Sequence, residues 1–494
     1  MPDGQQRGDE PTDDDARKTS SRNKYVARRR FLMATGALAG VGVLAGCGGQ
    51  TGDTETTATT AATTTEEPTE EPTETPTEEP TETPEEEPEE PSLEEKYPGL
   101  EILSPEPENA QAASRSTYAG YITPNEEFYI RNHYVSPTID ESEWQVSLTG
   151  LVDSELELSM EEIKNSFGTD SVAHTMQCSG NGRSYFEPQV GGNQWSFGAV
   201  GNTVWTGTPI SEILNAYGAD TSAGNYLTVM GGEAPDGEDI FTRSIPMEKV
   251  MDDCLLAYEM NGSALPKEHG FPVRLLVPGW FGNNNVKWVD RMHVMDKMVI
   301  GEEWEDGDQR LYTHWQQYSY RIIPEQDDGA VQYESIDIFD TYEQMQNTDE
   351  IRNAYMYDQL VKSLIGYPGE GQTVAPSPGG TIEVVGVAWA GEDGVDSVEV
   401  STDGGETWGE AEFYGPAYTP TAWRQFRYIW SDPSAGEHTL VSRATDSQGR
   451  VQPATISAPE EGLRGIQDDK FPWNEDGYAN NAYMPHAITC TVEE

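Results

Sequence analysis

One segment limits which part of this chain can form a folded body. From Thr51 to about Pro91 the sequence consists almost exclusively of Thr, Glu and Pro, with repeated TEEPTE-type units. Repulsion between like charges, together with proline, keeps such a segment extended, and it has too few apolar residues to form a core. We therefore expect a disordered stalk over residues 48–95 and a folded body that begins at about residue 96.

The residues before the stalk have the pattern of an export signal. Three arginines, Arg28 to Arg30, precede Phe31 and a short apolar stretch that ends in Leu-Ala-Gly-Cys at Cys47. Residues 1–47 resemble a twin-arginine signal joined to a lipobox, in which Cys47 is lipidated. A single transmembrane anchor is the alternative, although the stretch is shorter than the roughly 20 residues that a span requires. We expect an exported body, held by a lipid anchor at the outer face of the cell membrane.

Acidic residues dominate the charge of the chain. There are 87 Asp and Glu against 30 Lys and Arg, which gives a formal net charge of -57. Nucleic acid would be repelled by such a charge, so the nucleic-acid-binding class is excluded. The acidic residues also extend through the apparently globular part. This distribution favours a halophilic protein with a hydrated surface, with a moderately acidic secreted enzyme as the alternative.

The folded body divides into a mixed part and a β part. In residues 96–324, residues 144–148 alternate like a strand, whereas residues 209–218 have helical spacing and a glycine stop. A less regular connector follows over residues 325–368. Strand-like runs at regular spacing in residues 369–494 predict an all-β sandwich. The expected fold class is α+β followed by this sandwich, an architecture that by itself indicates no chemistry.

Cys178 is the residue whose surroundings most suggest chemistry. It lies in the sequence HTMQCSGNGR, in a loop rich in Gly, Asn and Ser, with Arg183 five residues further on. A nearby arginine favours the thiolate, which is the ligand that a soft transition metal prefers. The four cysteines are too few and too far apart for a disulfide framework or a zinc ribbon, and no CxxCH haem motif occurs. Local reasoning leaves a metal or catalytic role and a buried, inert thiol both open.

The segment around Cys178 resembles the QCAGNRR motif of sulfite oxidases and assimilatory nitrate reductases, whose cysteine binds molybdenum. Further blocks resemble the same family in the same order: YIRNH from Tyr129, WSFGAV from Trp195, LLAYEMNG from Leu255, EHGFPVR from Glu268, VPG from Val277 and VKW from Val286. The block from Trp473 to Asn481 is similar to the family's dimerisation domain, and the resemblance covers about residues 126–491. It implies a sulfite oxidase fold followed by an immunoglobulin-like dimerisation domain, and a molybdenum–molybdopterin cofactor with no haem or flavin in this chain.

The resemblance also implies roles for individual residues. Cys178 matches the metal ligand. The residues at matching cofactor-binding positions are Asn132, His133, Cys178, His269, Arg274, Asn285 and Lys287. The residues that match the substrate pocket are Arg131, Arg183, Trp195, Tyr320 and Arg427. Tyr318 is an alternative to Tyr320, and Arg424 is an alternative to Arg427. Gly182 departs from the motif, because the family has the first of two adjacent arginines there.

Together these matches imply oxygen-atom transfer at a mononuclear molybdenum, in which sulfite and water give sulfate, two electrons and two protons. The partners implied are a small oxyanion substrate, a separate electron carrier and a second copy of the chain in a homodimer. A reductase of nitrate or of a sulfoxide is the alternative among enzymes. A non-catalytic surface scaffold lipoprotein is the alternative from another class.

Overall fold

The structure, a computed structural model, describes residues 91–296, 320–324, 353–463 and 465–493. The predicted export signal with Cys47, the stalk as far as residue 90 and the first part of the connector lie outside the described residues. The described residues belong to one compact unit. No helix in the described ranges combines the length and apolarity that are needed to cross a bilayer.

The first part of the body is built mainly from short strands. Its strands are β1 (Leu100–Ser104), β2 (Asn109–Ala112), β3 (Ile130–Arg131), β4 (Gln145–Gly150), β5 (Leu156–Ser159), β6 (Asp170–Gln177), β7 (Val200–Pro209), β8 (Tyr226–Gly231), β9 (Thr242–Pro246), β10 (Leu255–Met260), β11 (Ser263–Ala264), β12 (Arg274–Leu276) and β13 (Val289–Met295). Its α-helices are α1 (Leu93–Lys96), α2 (Met160–Asn165), α3 (Ile210–Ala216) and α4 (Met247–Asp253). The mixed α and β composition that the sequence predicts is confirmed.

Within the described residues these strands form three sheets, with orders β1-β2-β3, β11-β10-β7-β6 and β5-β4-β13-β8-β9, and β12 pairs with β10. Helix α3 coincides with the predicted helical segment. It buries Ile210, Ile213 and Leu214, the spacing of a single helix face, and Gly218 beyond its end has φ +64°. Helix α1 lies at the end of the predicted stalk, where Ser92 and Glu95 form a capping box.

The second part of the body is built from strands, most of which form a β-sandwich. Its strands are β14 (Arg321–Pro324), β15 (Asn353–Tyr355), β16 (Lys362–Tyr367), β17 (Gln372–Val374), β18 (Thr381–Trp389), β19 (Val395–Ser401), β20 (Gly409–Glu410), β21 (Glu412–Tyr414), β22 (Arg424–Ser431), β23 (Gly436–Asp446), β24 (Thr455–Ile456), β25 (Lys470–Phe471) and β26 (Ile488–Val492). Sheet β16-β18-β22-β21 shares an apolar core with sheet β17-β26-β23-β19-β20. Strand β16 pairs with β18, so the sandwich includes residues that the sequence assigned to the connector.

The sandwich contacts strand β6, which leads directly into Cys178. Strand β6 ends at Gln177, and the loop before β22 packs along it. The Thr175 amide donates to the Thr421 carbonyl at 2.9 Å, and the Trp423 amide donates to the Thr175 hydroxyl at 2.7 Å. In addition, the Trp389 indole donates to the Gln177 side chain at 2.8 Å. The position of Cys178 therefore depends on contacts from both parts of the body.

Candidate active site

A cavity of about 590 Å³ lies where loops from the two parts meet. Its size is within the range of ligand pockets, roughly 300–1,000 Å³. Eleven of the residues singled out from the sequence line it: Arg131, Asn132, His133, Cys178, Arg183, Trp195, His269, Arg274, Asn285, Lys287 and Tyr320. Residues far apart in the chain thus converge on one site.

Cys178 lies directly after β6 and is held by its backbone. Its amide donates to the carbonyl of Ala199 at 2.9 Å, and its own carbonyl accepts from the amide of Asn181 at 3.0 Å. The side chain is only 8% exposed but lines the cavity. This is the combination that a metal ligand requires, because the sulfur is fixed in place and still reachable from the cavity.

Burial raises the pKa of the Cys178 thiol, and Arg131, the Gly180 amide and Arg183 lower it only in part. The expectation that Arg183 alone would favour the thiolate is therefore incomplete, since desolvation is the larger effect. A bound metal cation would supply the missing stabilisation of the thiolate. Within the described residues, no group of three or more His, Cys, Asp or Glu side chains is arranged to hold a metal ion.

The backbone conformation at position 182 favours glycine, where the family motif has an arginine. Its φ of +99° lies in the left-handed region, which favours glycine. A Cβ at this position would lie 2.9 Å from Nδ2 of Asn480, which donates a 2.9 Å hydrogen bond to the Gly182 carbonyl. A larger side chain would therefore have to displace this contact with the C-terminal loop.

Arg131 and His133 form one wall of the cavity. A guanidinium nitrogen of Arg131 lies 3.0 Å from Nδ1 of His133. Burial lowers the pKa of His133 well below its ordinary value, with further lowering by Arg131 and then by Arg243 and Lys287. His133 is therefore neutral near pH 7 and can offer a donor and an acceptor without adding a charge.

A buried cationic group occupies the adjoining wall. Arg274 donates to the carbonyls of His269 and Asn285 at 2.9 and 3.0 Å, and its Nε has no partner among the described residues. Lys287 donates to Oδ1 of Asn132 and, at 2.8 Å, to the carbonyl of Glu268. Burial lowers the pKa of Arg274 to about 10 and also lowers that of Lys287.

The carboxylate of Glu268 does not pair with these cations, although Glu233 and then Glu108 partly offset the lowering of the Lys287 pKa. The Glu268 carboxylate points instead toward Lys96 at 2.9 Å and the Tyr97 hydroxyl at 2.6 Å. Burial lowers the pKa of His269 to about 3, with additional lowering by Lys287 and Arg274. Arg274 and Lys287 donate to carbonyl and amide oxygens and, for Arg274, to the sulfur of Met176. These acceptors are uncharged, so the two cations fit a bound phosphate, which an Arg recognises through its planar fork and a Lys through its point charge.

Arg183 reaches the cavity from the 3₁₀ turn that begins with it, and it is fixed by backbone oxygens. Its Nε donates to the Asp476 carbonyl at 2.8 Å, and one Nη donates to the Asn193 carbonyl at 3.1 Å. Trp195 is fully buried, and its indole nitrogen has no hydrogen-bond partner among the described residues. Tyr320 is 7% exposed and also lines the cavity.

Arg427 is the exception, and its predicted place in the pocket needs correction. It lies on β22, where Phe426 faces the sandwich core and Arg427 faces outward with a side chain that is 45% exposed. It lies 3.3 Å from Glu412 and 3.8 Å from Glu383, and it does not line the cavity. Its alternative, Arg424, packs over the Phe413 ring and does not line the cavity either.

Residues that the sequence analysis missed also line the cavity, from both parts of the chain. Asp476 and Tyr478 line it from the loop after β25, and Phe241, Glu233 and Asn283 line it from the first part. Burial raises the pKa of Glu233 to about 8 and also raises that of Asp476. The block from Trp473 to Asn481, which resembles the family, was the available signal for Asp476 and Tyr478.

Comparison with known proteins identifies the family. The oxidoreductase molybdopterin binding domain matches residues 133–302, and the Mo-co oxidoreductase dimerisation domain matches residues 353–489. Sulfite oxidase of Gallus gallus is 31% identical over 383 residues, which cover 75% of this chain and 76% of that protein. The chain belongs to the sulfite oxidase family. It is therefore a molybdopterin-dependent oxidoreductase.

Two further relatives define how far the similarity extends. Mitochondrial sulfite oxidase of Homo sapiens is 32% identical over 385 residues, and the match spans 64% of the length of that protein. The solved structure of the sulfane dehydrogenase SoxCD from Paracoccus pantotrophus matches with a TM-score of 0.59 and 27% identity. That match covers 84% of this chain and 96% of the other. The family and the fold are thus shared over both parts of the body.

Proposed function

We propose that this enzyme of the sulfite oxidase family oxidises sulfite to sulfate and passes the two electrons to a separate carrier protein. The observation that carries the proposal is the convergence of Cys178, Arg131, Arg183 and Tyr320 on one cavity beside a buried cationic group. When bound, the molybdenum cofactor supplies two-electron oxygen-atom transfer, and the protein supplies binding, orientation and electrostatics.

The cationic group and Cys178 are the residues that would hold the cofactor. Arg274 and Lys287 would bind the phosphate of the pterin, and His269 and Asn285 lie beside them in the cavity wall. The unpartnered Nε of Arg274 and Nε2 of His269 are buried polar atoms that a bound cofactor would satisfy. Cys178 would provide the protein's sulfur ligand to the molybdenum.

The substrate would be held by guanidinium groups. Arg131 and Arg183 both line the cavity, and hydrogen bonds to backbone oxygens fix the Arg183 side chain before any ligand arrives. Preorganised donors stabilise an anion more strongly than mobile ones, because no ordering is needed when it binds. The hydroxyl of Tyr320 is the group that we assign to hydrogen bonding and proton movement at the substrate.

The proposal is tested by metal analysis followed by activity. Purified protein in molar salt should contain about one molybdenum per chain, the stoichiometry of a mononuclear site. It should also reduce an artificial acceptor such as ferricyanide when sulfite is added. Nitrate and dimethyl sulfoxide, each supplied with reduced methyl viologen, provide the reductase comparison. Molybdenum-loaded protein that reduces nitrate or the sulfoxide but does not oxidise sulfite would replace the proposal with the reductase alternative.

A second candidate substrate is sulfane sulfur. The similarity to the sulfane dehydrogenase supports it, as does the presence of Asp476 at the cavity beside Arg183, because a carboxylate there weakens the attraction for a dianion. A small persulfide, assayed with the same acceptor, distinguishes the two. A higher kcat/KM for the persulfide than for sulfite would favour this candidate.

A non-catalytic scaffold is the alternative from another class. It requires that the purified protein contain no molybdenum and show no turnover.

We further propose that the chain forms a homodimer and is exported with a lipid anchor. The match to the Mo-co oxidoreductase dimerisation domain supports the dimer, which is tested by light scattering in molar salt.

The proposal of export rests on Arg28 to Arg30 and Cys47, which lie outside the described residues. Replacement of the three arginines by lysine should leave active enzyme inside the cell, because a cofactor inserted there must cross with a folded chain.

A further inference from the structure

Two tyrosines from different parts of the chain stack at the cavity. The rings of Tyr320 and Tyr478 have centroids 5.0 Å apart and an interplanar angle of 23°. Both residues line the cavity. An offset stack of this kind is worth more than the apolar area it buries, so each ring limits the orientations that are open to the other.

Each tyrosine also contacts an arginine. The Cζ of Arg183 lies 5.1 Å from the ring centroid of Tyr478, and the Cζ of Arg243 lies 5.0 Å from that of Tyr320. The four side chains therefore form a continuous series, Arg183–Tyr478–Tyr320–Arg243, of which the first three line the cavity. Cation–π attraction adds to the stack and is stronger for desolvated groups such as these.

The Arg243 end of the series is rigid. Its Nε donates to the Asn283 carbonyl at 2.7 Å, and one Nη donates to the Thr242 carbonyl at 2.7 Å. The guanidinium also lies 4.2 Å from the ring centroid of Phe241. Arg243 is fully buried, so these contacts cannot be exchanged for water. The ring of Tyr320 therefore packs against a fixed surface.

The Tyr478 end is also fixed, and it is attached to the cysteine loop. The Tyr478 amide donates to Oδ1 of Asn474 at 2.8 Å, and the amide of Ala479 donates to the Ser179 carbonyl at 2.7 Å. Ser179 follows Cys178 directly. The Tyr320 carbonyl accepts from the Met356 amide at 3.0 Å. The Tyr320 side chain is contacted by Arg243 and by Tyr478, the latter through both the ring stack and a side-chain hydrogen bond, so Tyr478 contributes directly to its orientation.

We propose that Tyr478 is a positioning residue, which holds the ring of Tyr320 so that its hydroxyl faces the substrate. This proposal rests on the proposed role of Tyr320 in turnover. It gives the C-terminal loop a specific part in catalysis, because the loop that docks beside Cys178 also orients the ring of Tyr320. Positioning of this kind affects the reaction step more than substrate binding.

The experiment compares Tyr478→Leu with Tyr478→Phe, using Tyr418→Leu as a matched control. The leucine variant removes the aromatic ring, and the phenylalanine variant keeps the ring and removes the hydroxyl. Tyr418 is 74% exposed, belongs to the same part of the chain and does not line the cavity. Two readouts are used: steady-state kinetics with sulfite, and nitration of Tyr320 by tetranitromethane, located by peptide mass spectrometry.

We expect Tyr478→Leu to lower kcat about three- to tenfold, the factor that corresponds to loss of one aromatic pair, with KM changed less than twofold. Nitration of Tyr320 should rise by a similar factor, of the order of threefold or more, because its ring loses a cover. Tyr478→Phe should recover most of kcat and keep Tyr320 protected. Tyr418→Leu should match the parent in both readouts.

Equal loss in the leucine and phenylalanine variants would overturn the proposal, since the hydroxyl rather than the stack would then matter. Unchanged Tyr320 nitration in Tyr478→Leu would overturn it as well. Nitration needs no turnover and no bound metal. If the parent protein does not oxidise sulfite, the proposed function fails, and the nitration comparison still decides whether Tyr478 orients Tyr320.

Discussion

The amide of Ala479 donates a 2.7 Å hydrogen bond to the carbonyl of Ser179, the residue that follows Cys178. A second link lies nearby: buried Lys362 donates to the carbonyls of Asn480 at 2.7 Å and Asn181 at 3.3 Å. Through these bonds the C-terminal part of the chain fixes both sides of the cysteine loop. The sandwich is thus a structural part of the site, even though most of its surface is remote from the cavity.

Replacement of Cys178 by serine should reduce turnover below detection, because a hydroxyl is a much poorer ligand for a soft metal than a thiolate. The fold should persist, since the two side chains are similar in size and the backbone bonds of Cys178 remain. Sulfite oxidation and the thermal unfolding curve measure the two effects. Cys490→Ala is the control, because Cys490 is buried in the sandwich core and does not line the cavity. Full activity in Cys178→Ser would refute the ligand assignment.

Replacement of Arg183 by glutamine should lower kcat/KM for sulfite by roughly ten- to a hundredfold, since a charge-assisted hydrogen bond to a buried anion contributes about 1.5–3 kcal/mol. Arg427→Gln carries the same change on the outer face of β22 and should leave the kinetics close to those of the parent. Steady-state assays in molar salt provide the comparison. Unchanged sulfite kinetics in Arg183→Gln, with loss of activity on a neutral sulfoxide, would favour the reductase alternative.

Replacement of Arg274 by methionine should weaken retention of the pterin cofactor by about ten- to a hundredfold, because a buried charge-assisted contact to its phosphate is lost. Methionine keeps most of the apolar length that packs against Trp205. The measurement is the pterin released by acid and quantified by fluorescence, which needs no activity. Arg427→Met is the exposed control. A parent level of pterin in Arg274→Met would exclude Arg274 as a cofactor ligand.

Acidification should destabilise the fold through His174. This residue is fully buried, its Nδ1 accepts a hydrogen bond from the Gly279 amide at 3.2 Å, and burial lowers its pKa to about 3. The unfolded chain, with a histidine pKa near 6.5, binds more protons between pH 6.5 and 3. The contribution of His174 to stability is therefore complete above pH 6.5 and is lost as the pH falls toward 3, by up to about 1.4 kcal/mol per pH unit.

This pH dependence is measured by denaturant unfolding of the parent and of His174→Gln at pH 7, 6, 5 and 4. Glutamine keeps an acceptor but does not titrate, so the stability of the variant should fall less steeply below pH 6.5. The difference between the two curves cancels the contribution of His269, which has a similarly lowered pKa. Parallel curves over the whole range would show that His174 does not contribute to the acid sensitivity.

The sequence by itself determined the composition of the site. Cys178, Arg274 and Lys287 lie in short motifs that occur in the same order as in the family. Such motifs identify site residues even when these residues are far apart in the chain. The helix at residues 209–218 and the strand runs of the sandwich were also readable, because hydrophobic spacing is a local property. The roles of the individual site residues remain predictions until the variants are measured.

Only the tertiary structure decided which C-terminal residues reach the cavity. Arg427 was matched to a substrate arginine of the family's dimerisation domain, yet β22 turns it outward to Glu412, and Asp476 and Tyr478 lie at the cavity instead. The contact between Arg183 and the Asp476 carbonyl spans 293 positions, and no local pattern encodes it. The protonation state of Cys178 was likewise decided by the tertiary structure. Its neighbour Arg183 suggested a thiolate, but the pKa depends on total burial, a property that arises only when the whole chain packs around the sulfur.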